Sequence, residues 1–135
     1  MPAPVLTVTL NPAVDKTVDG QRVKLSAGGK GINVSRALKT LGVDSVVTGF
    51  AGGRTGDFIR SALKKERISE RLAGIRGESR QNLTVIGGGG KTTRRIEKGP
   101  AVSAEEFREF KKAFAKLLRG RRYVVFSGAN ANGLK

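Results

Sequence analysis

Apolar residues recur along this chain with two different periods, and the period separates candidate strands from candidate helices. Residues 5–10 form a β-branched, alternating stretch that ends at Asn11-Pro12, which predicts a strand followed by a turn. Further apolar stretches predict one buried strand and two shorter ones, at residues 45–50, 72–76 and 123–126.

Three other segments carry apolar residues at the spacing of an α-helix. The first helix opens at Gly28-Gly29-Lys30-Gly31 and ends at Gly42, with an apolar face of Val34, Ala37, Leu38 and Leu41. The second has Thr55 as its expected N-cap and an apolar face of Phe58, Ile59, Ala62 and Leu63. The third begins with a Ser103–Glu106 capping box and has an apolar stripe of Phe107, Phe110, Phe114 and Leu117.

A glycine tract between two β-prone stretches predicts a hairpin. Residues 82–86 and 92–96 flank Gly87-Gly88-Gly89-Gly90-Lys91, although four glycines specify strand register poorly. Strands that alternate with helices predict βαβ units and a mainly parallel sheet covered on both faces. The sequence therefore predicts one α/β domain over residues 1–135, a three-layer Rossmann-like sandwich with a small hairpin at residues 82–96.

Composition narrows the chemistry. The 135 residues contain no cysteine and no histidine, which excludes disulfides, cysteine–histidine zinc clusters and imidazole bases. No apolar run approaches the ~20 residues of a membrane span. The first residues show no basic segment followed by an apolar one, so we expect no signal peptide and a cytoplasmic location.

Charge is the unusual property of this chain. Lys and Arg number 26 against 11 Asp and Glu, a formal net charge of +15. Such a field attracts phosphate as sugar phosphate, nucleotide or nucleic acid. The ordinary interpretation is a well-solvated surface. Nucleic-acid binding is the alternative, although aromatic residues for base stacking make up only 5% of the chain.

Three loops follow predicted strands and carry candidate ligand-binding groups. In residues 11–16, Asp15 has a carboxylate that accepts hydrogen bonds from sugar hydroxyls. Residues 27–33 combine glycines with Lys30 ahead of a helix, an arrangement that favours an anion. Residues 49–56 repeat the glycine-rich strand-to-helix pattern. Each loop taken alone is equally consistent with a simple helix cap, and neither a Walker P-loop nor a Gly-x-Gly-x-x-Gly fingerprint is present.

Several stretches together resemble one protein family. Residues 6–17 read Leu-Thr-Val-Thr-Leu-Asn-Pro-Ala-Val-Asp-Lys-Thr, and residues 27–38 read Ala-Gly-Gly-Lys-Gly-Ile-Asn-Val-Ser-Arg-Ala-Leu. Residues 78–82 read Glu-Ser-Arg-Gln-Asn, and residues 124–128 read Val-Val-Phe-Ser-Gly. In this order they resemble the N-terminal half of pfkB-family, ribokinase-like carbohydrate kinases, in particular 1-phosphofructokinases and tagatose-6-phosphate kinases.

The resemblance implies a role for individual residues. It implies that Asp15 binds substrate hydroxyls, that Gly28, Gly29 and Lys30 line the sugar-phosphate site, and that Asn33 contacts the sugar. It also implies that Arg80 and Asn82 reach the phosphate end of the substrate, and that Ser127 and Gly128 lie near the same cleft.

Departures from the family pattern limit what the resemblance implies. Between Thr17 and Ala27 the family has a longer excursion whose strands form a lid, and residues 18–26 are expected to be too short for it. Ser26 stands where an Asp is usual, and residues 129–133 replace a proline-containing pattern. We therefore expect residues 82–96 to be a remnant of the lid and closure over substrate to be impaired.

The family's Gly-Ala-Gly-Asp segment, which supplies an anion hole and the catalytic Asp, belongs to its C-terminal half. The same holds for the loops that bind ATP with Mg²⁺. We therefore expect a truncated, engineered or reconstructed half of a sugar-phosphate kinase, with a vestigial substrate site, no catalytic residue and no efficient kinase activity alone. A natural truncated paralogue and a degraded gene remain open. An exposed sheet edge or apolar face predicts a homo-oligomer. The alternative functions are nucleic-acid binding and kinase activity by an oligomer.

Overall fold

Eight strands and three helices make up the part of the chain that the computed structural model describes, residues 2–134. In chain order they are β1 (Val5–Thr9), β2 (Ala13–Asp19), β3 (Arg22–Gly28), α1 (Lys30–Thr40), β4 (Ser45–Gly52), α2 (Gly53–Lys65), β5 (Ser69–Ile75), β6 (Arg80–Ile86), β7 (Thr92–Ile96), α3 (Ala104–Leu117) and β8 (Tyr123–Phe126). A short 3₁₀ turn, Gly88–Gly90, lies between β6 and β7. Among these helices, none combines the length and the hydrophobicity that crossing a membrane requires.

Sheet A is the parallel sheet that the alternating pattern predicts. Its strands lie in the order β5-β4-β1-β8, and every neighbouring pair is parallel. All five residues of β1 are buried because β4 and β8 pair with both of its sides and helices lie on both faces. The predicted α/β fold class is thereby confirmed.

Alternate residues of β4 enter two separate cores, one on each face of sheet A. Val47 and Ala51 pack with residues from the first two helices, Ile32 of α1 and Ile59 and Leu63 of α2. Phe50 points to the opposite face, where its ring lies 4.7 Å from that of Phe110 in α3. The three layers follow from this two-residue alternation.

Sheet B shows that two predictions from the sequence were wrong, one about Asp15 and one about residues 18–26. Its strands lie in the order β3-β2-β6-β7, with β2 parallel to β6 and the other pairs antiparallel. Asp15 therefore lies within a strand rather than a loop, and residues 18–26 are long enough to complete a hairpin. The sequence carried the signal in Gly20: residues Gly20 and Gln21 form the two-residue turn between Asp19 and Arg22, and Gly20 has the positive φ of 59° that such turns require at their first position.

The predicted N-cap of the second helix is wrong. Helix α2 begins at Gly53 after the N-cap Gly52, and Thr55 lies buried inside its first turn. The Thr55 backbone N–H donates to the Glu78 carboxylate at 2.8 Å. A carboxylate distant in sequence therefore replaces the local cap that the pattern suggested.

Two surfaces expose apolar side chains. Paired residues in a sheet share a face, so one face of sheet B carries Val18, Val23, Leu25, Leu83 and Val85, which we call the apolar face of sheet B although Lys16 and Arg95 also lie on it. The other surface is the edge strand β8, where Tyr123 is 67% and Phe126 64% exposed.

Candidate functional site

Strands β2, β3 and β6 bring a carboxylate, a glycine and an amide together on the face of sheet B that lies opposite its apolar face. Asp15 is paired with Asn82 across β2 and β6, and the Asn82 Nδ2 donates to the Asp15 Oδ1 at 3.1 Å. The Asp15 carboxylate lies where a side chain on Gly28 would be, so any Cβ at Gly28 would overlap it. The glycine thus lets the carboxylate lie flat against the backbone of β3.

The Asn82 side chain has an acceptor that the protein does not use. Its Oδ1 is buried and has no hydrogen-bond partner among residues 2–134. Leaving a buried acceptor without a donor costs about 1–3 kcal/mol. Because the Asn82 Nδ2 is already bound to Asp15, this position suits a hydroxyl that donates a hydrogen bond.

The N-terminus of α1 lies one residue beyond Gly28 and is uncapped. Its N-cap Gly29 has φ 133° and ψ 142°, a conformation that residues with side chains rarely adopt. No side chain caps the helix, and no acidic residue lies in its first turn. The free N–H groups and the helix dipole therefore favour an anion here, and Lys30 adds an exposed ammonium group.

Ser127 and Gly128 border the same helix end. They follow β8 directly, and the Ser127 N–H donates to the Val8 carbonyl at 3.2 Å. A Cβ placed on Gly128 would lie 3.5 Å from the Lys30 backbone nitrogen. The turn after β8 and the start of α1 are therefore neighbours.

Arg80 and Asn33 lie near the Asp15–Asn82 pair and the start of α1. The side chains of both already have hydrogen-bond partners in the protein. The Arg80 Nε donates to the Asn11 carbonyl at 3.0 Å and its Nη1 to the Glu97 carbonyl at 3.3 Å. Arg80 shares a face of β6 with Asn82, two residues away. Asn33 is exposed on α1, and its Oδ1 accepts a 2.9 Å hydrogen bond from the Arg36 Nη1.

The third glycine-rich loop, residues 49–56, is occupied by the protein itself. The Glu78 carboxylate lies against Gly53 and accepts from the Thr55 N–H. Gly52 and Ser79 exchange two hydrogen bonds, of 2.9 and 3.0 Å. A carboxylate thus already fills the N-terminus of α2, and this loop has no open anion site.

An ion pair that the sequence did not indicate lies behind the α1 turn. The Arg36 Nε and Nη2 donate to the two carboxylate oxygens of Glu66 at 2.7 and 2.8 Å. The hydrogen bond from Arg36 lowers the pKa of Glu66, and the same bond raises the pKa of Arg36. Thirty residues separate the partners, so no local pattern could reveal the pair.

The face of sheet B that carries Asp15 and Asn82 is basic farther from α1. The next row on this face is Lys24, Thr17, Thr84 and Arg94. Its two cations lie at the edges of the row, and two hydroxyl residues lie between them. This face of sheet B therefore attracts negatively charged ligands.

Comparison with known proteins gives this geometry a family context. The sequence model of the pfkB family carbohydrate kinases matches residues 5–135. Tagatose-6-phosphate kinase of Staphylococcus epidermidis is 35% identical over 141 residues, which cover 96% of this chain and 45% of that protein. The chain thus spans about half the length of its curated relative.

Solved structures agree with the sequence match. A Thermotoga maritima protein named as a possible 1-phosphofructokinase is 34% identical with a TM-score of 0.88, covering 97% of this chain and 46% of that one. Phosphofructokinase-2 of Escherichia coli in its tetrameric inhibited form is 28% identical with a TM-score of 0.89, covering 98% and 47%. The same enzyme in complex with fructose-6-phosphate is 29% identical with a TM-score of 0.87, covering 98% and 48%.

Proposed function

Because the chain belongs to the pfkB family of carbohydrate kinases, we propose that its 135 residues carry the sugar-phosphate-binding half of such a kinase. The observation that carries this proposal is the uncapped N-terminus of α1 directly beside the Asp15–Asn82 pair. The first group favours an anion and the second accepts hydrogen bonds from hydroxyls. A phosphorylated sugar has both features in one small molecule.

The sugar end is assigned to Asp15 and Asn82. Both offer acceptor oxygens, and the buried Asn82 Oδ1 would face repulsion from a phosphate oxygen. We therefore assign Asn82 to the hydroxyl end, although the family resemblance suggested the phosphate end. Asn33 completes this side from the second turn of α1.

The phosphate end is assigned to the first turn of α1 and its neighbours. The N–H groups after Gly29 and the backbone of Ser127 and Gly128 lie together there, and Lys30 supplies an ammonium group from the first residue of α1. Arg80 adds a guanidinium group on the same face as Asn82. Its Nη2 makes no hydrogen bond within residues 2–134, which supports the role that the resemblance suggested.

ATP and Mg²⁺ would supply the phosphoryl group and its charge neutralisation in a complete kinase. The family resemblance assigns both to loops outside these residues. Within residues 2–134, no group of three His, Cys, Asp or Glu side chains is arranged to hold a metal ion. Binding of the sugar phosphate is the activity that the start of α1 and the Asp15–Asn82 pair support.

Isothermal titration of the 135-residue chain with fructose 6-phosphate, fructose and inorganic phosphate tests the proposal. We expect saturable binding of the sugar phosphate, weaker binding of phosphate and none of fructose. Asp15→Asn and Lys30→Ala should each weaken sugar-phosphate binding. Lys116→Ala on α3 serves as the charge-matched control and should change nothing. Equal loss in Lys30→Ala and Lys116→Ala would overturn the proposal.

We also propose that sheet B acts as a lid and that the chain self-associates through exposed apolar residues. The apolar face of sheet B and the β8 edge support association, because such surfaces are usually covered. Light scattering over a concentration series should give a mass above that of the monomer. A strict monomer at high concentration would contradict the association.

Nucleic-acid binding is a second candidate function. The basic row on sheet B, with Lys24 and Arg94, supports it together with the net charge of +15. Titration with a short oligonucleotide at two salt concentrations separates the candidates. Oligonucleotide binding that falls steeply with salt, without saturable sugar-phosphate binding, would favour this function. A coupled ATP turnover assay on the associated chain tests kinase activity by an oligomer.

A further inference from the structure

Arg36 joins three parts of the molecule behind the proposed site. Its Nη2 donates to the Ala27 carbonyl at 2.6 Å, and its Nη1 donates to the Asn33 Oδ1 at 2.9 Å. The remaining contacts are the two bonds to the Glu66 carboxylate, at the end of α2. A planar guanidinium group makes these contacts simultaneously because its N–H groups point in fixed, divergent directions.

The contacts of Arg36 fall on both sides of the open helix end. Ala27 directly precedes Gly28, so the carbonyl contact fixes the backbone as it enters the glycine turn. Asn33 lies on the helix just after that turn. The Arg36 side chain therefore holds the backbone before the Gly28–Gly29–Lys30 turn and the Asn33 side chain after it. It leaves the N–H groups of the turn itself open.

Glu66 fixes the orientation of the guanidinium group. Its carboxylate binds Arg36 in a two-pronged arrangement, and both side chains are partly exposed, at 29% and 38%. An exposed ion pair of this kind contributes little to stability by itself. Its geometry nevertheless restricts the guanidinium plane, which sets the positions of the Ala27 and Asn33 contacts.

We propose that Arg36, oriented by Glu66, is a positioning residue that fixes the Gly28–Gly29–Lys30 turn and the Asn33 side chain for sugar-phosphate binding. This inference rests on the proposed function. The guanidinium group of Arg36 is engaged by Glu66, Ala27 and Asn33. It acts through the groups that it holds.

The chain contains a matched ion pair that serves as a control. Arg60 lies on α2, its Nη1 donates to both carboxylate oxygens of Glu70 at 2.8 and 3.1 Å, and its Nη2 donates to the Leu72 carbonyl at 2.9 Å. This pair has the same composition as the Arg36 pair: helix arginine, glutamate and backbone carbonyl. It differs in that neither Glu70 nor Leu72 adjoins the glycine turn.

The test compares Arg36→Lys and Arg36→Ala with Arg60→Lys and Arg60→Ala, by titration with fructose 6-phosphate and by thermal unfolding. Lysine keeps the charge and one bond to Glu66 but cannot reach three groups at once. We expect both Arg36 variants to lose at least about tenfold in affinity, and both Arg60 variants to stay within about twofold of the parent chain. Loss of melting temperature should be similar in the two alanine variants.

A measurement on the free protein keeps the inference separate from the proposed function. Backbone amide exchange at Gly28, Gly29 and Lys30 should accelerate in Arg36→Lys and stay unchanged in Arg60→Lys. Unchanged exchange in Arg36→Lys, or affinity like that of the parent chain, would overturn the inference. Failure of the parent chain to bind fructose 6-phosphate would overturn the proposed function, while amide exchange would still decide whether Arg36 fixes the turn.

Discussion

The N-terminus of α1 and the N-terminus of α3 differ in what satisfies their free N–H groups. At α3, the Ser103 Oγ accepts from the Glu106 N–H at 3.1 Å, and the Glu106 carboxylate accepts from the Ser103 N–H at 3.0 Å. At α1, the preceding residue is Gly29, and neither a side-chain cap nor an acidic residue is present. The first arrangement stabilises a helix, and the second leaves its donors available to a ligand.

The N-terminus of α2 combines features of the other two helix ends. It is also preceded by glycine, yet the Glu78 carboxylate reaches it from the segment before β6. A glycine-rich start therefore does not by itself mark an anion site. What distinguishes α1 is that no carboxylate among residues 2–134 caps its first turn, and that Lys30 lies there instead.

The largest expected effect comes from removing the space beside Asp15. In Gly28→Ala the new methyl group overlaps the Asp15 carboxylate and must displace it. We expect affinity for fructose 6-phosphate to fall roughly a hundredfold, measured by isothermal titration. Gly74→Ala in β5 is the control, because a Cβ there meets no atom within 4 Å. Unchanged affinity in Gly28→Ala would show that Asp15 does not take part in sugar-phosphate binding.

The next effect comes from giving α1 the carboxylate that the other two helices have. Lys30→Glu places an acid at the first helical residue, where its interaction with the helix dipole stabilises the folded protein by about 0.3–1 kcal/mol. The same change repels phosphate, so affinity should fall about tenfold or more while the free energy of unfolding rises. Titration and denaturant unfolding measure the two quantities. A parallel fall in both would contradict the idea that the open end serves a ligand.

A smaller effect is expected at α3, where the cap serves stability alone. Ser103→Ala removes the hydroxyl that accepts from the Glu106 N–H and should lower the free energy of unfolding by about 1 kcal/mol. Affinity for sugar phosphate should not change. Denaturant unfolding with parallel titration is the check, and a loss of affinity here would mean that the two helix ends are coupled.

The smallest expected effect is a decrease in melting temperature at acidic pH. The hydrogen bonds from the Ser103 and Arg76 backbone N–H groups lower the pKa of Glu106, and the bond from Arg36 lowers that of Glu66. A lowered pKa in the folded state adds stability above the unfolded glutamate pKa of about 4.3. That stability is lost as the pH falls through the folded-state value. Melting temperature should therefore drop on acidification from about pH 5, and less steeply in Glu106→Gln.

Local patterns in the sequence predicted the elements of sheet A and its helices, but the predicted apolar face of α1 was wrong: Gly31, Ile32 and Ser35 are its buried residues, and Leu41 is 76% exposed. The Ser103–Glu106 capping box and the strand Tyr123–Phe126 were predicted at the residues where they occur. The hairpin of β2 and β3 was missed although the turn residue Gly20 and the apolar residues Val14 and Val18, on one face of β2, indicated it. The charged residues within both strands concealed the apolar alternation.

The site was predictable as a set of residues but not as an arrangement. The glycine turn and Asp15 stand out locally, whereas their relation depends on the register between β2, β3 and β6. The contacts of Arg36 with Glu66 and of Glu78 with α2 span more than twenty residues, and single-sequence patterns carry no such information. The burial of the Asn82 Oδ1 likewise follows only from packing.

Backbone amide chemical shifts during titration with fructose 6-phosphate show whether the N-terminus of α1 binds the ligand. We expect saturable shifts at Lys30, Gly31 and Ile32, in the first turn of α1. We expect no shifts at Thr55 and Glu106, whose N–H groups the protein already binds at α2 and α3. Shifts of equal size at all three helix ends, or none at α1, would contradict this expectation.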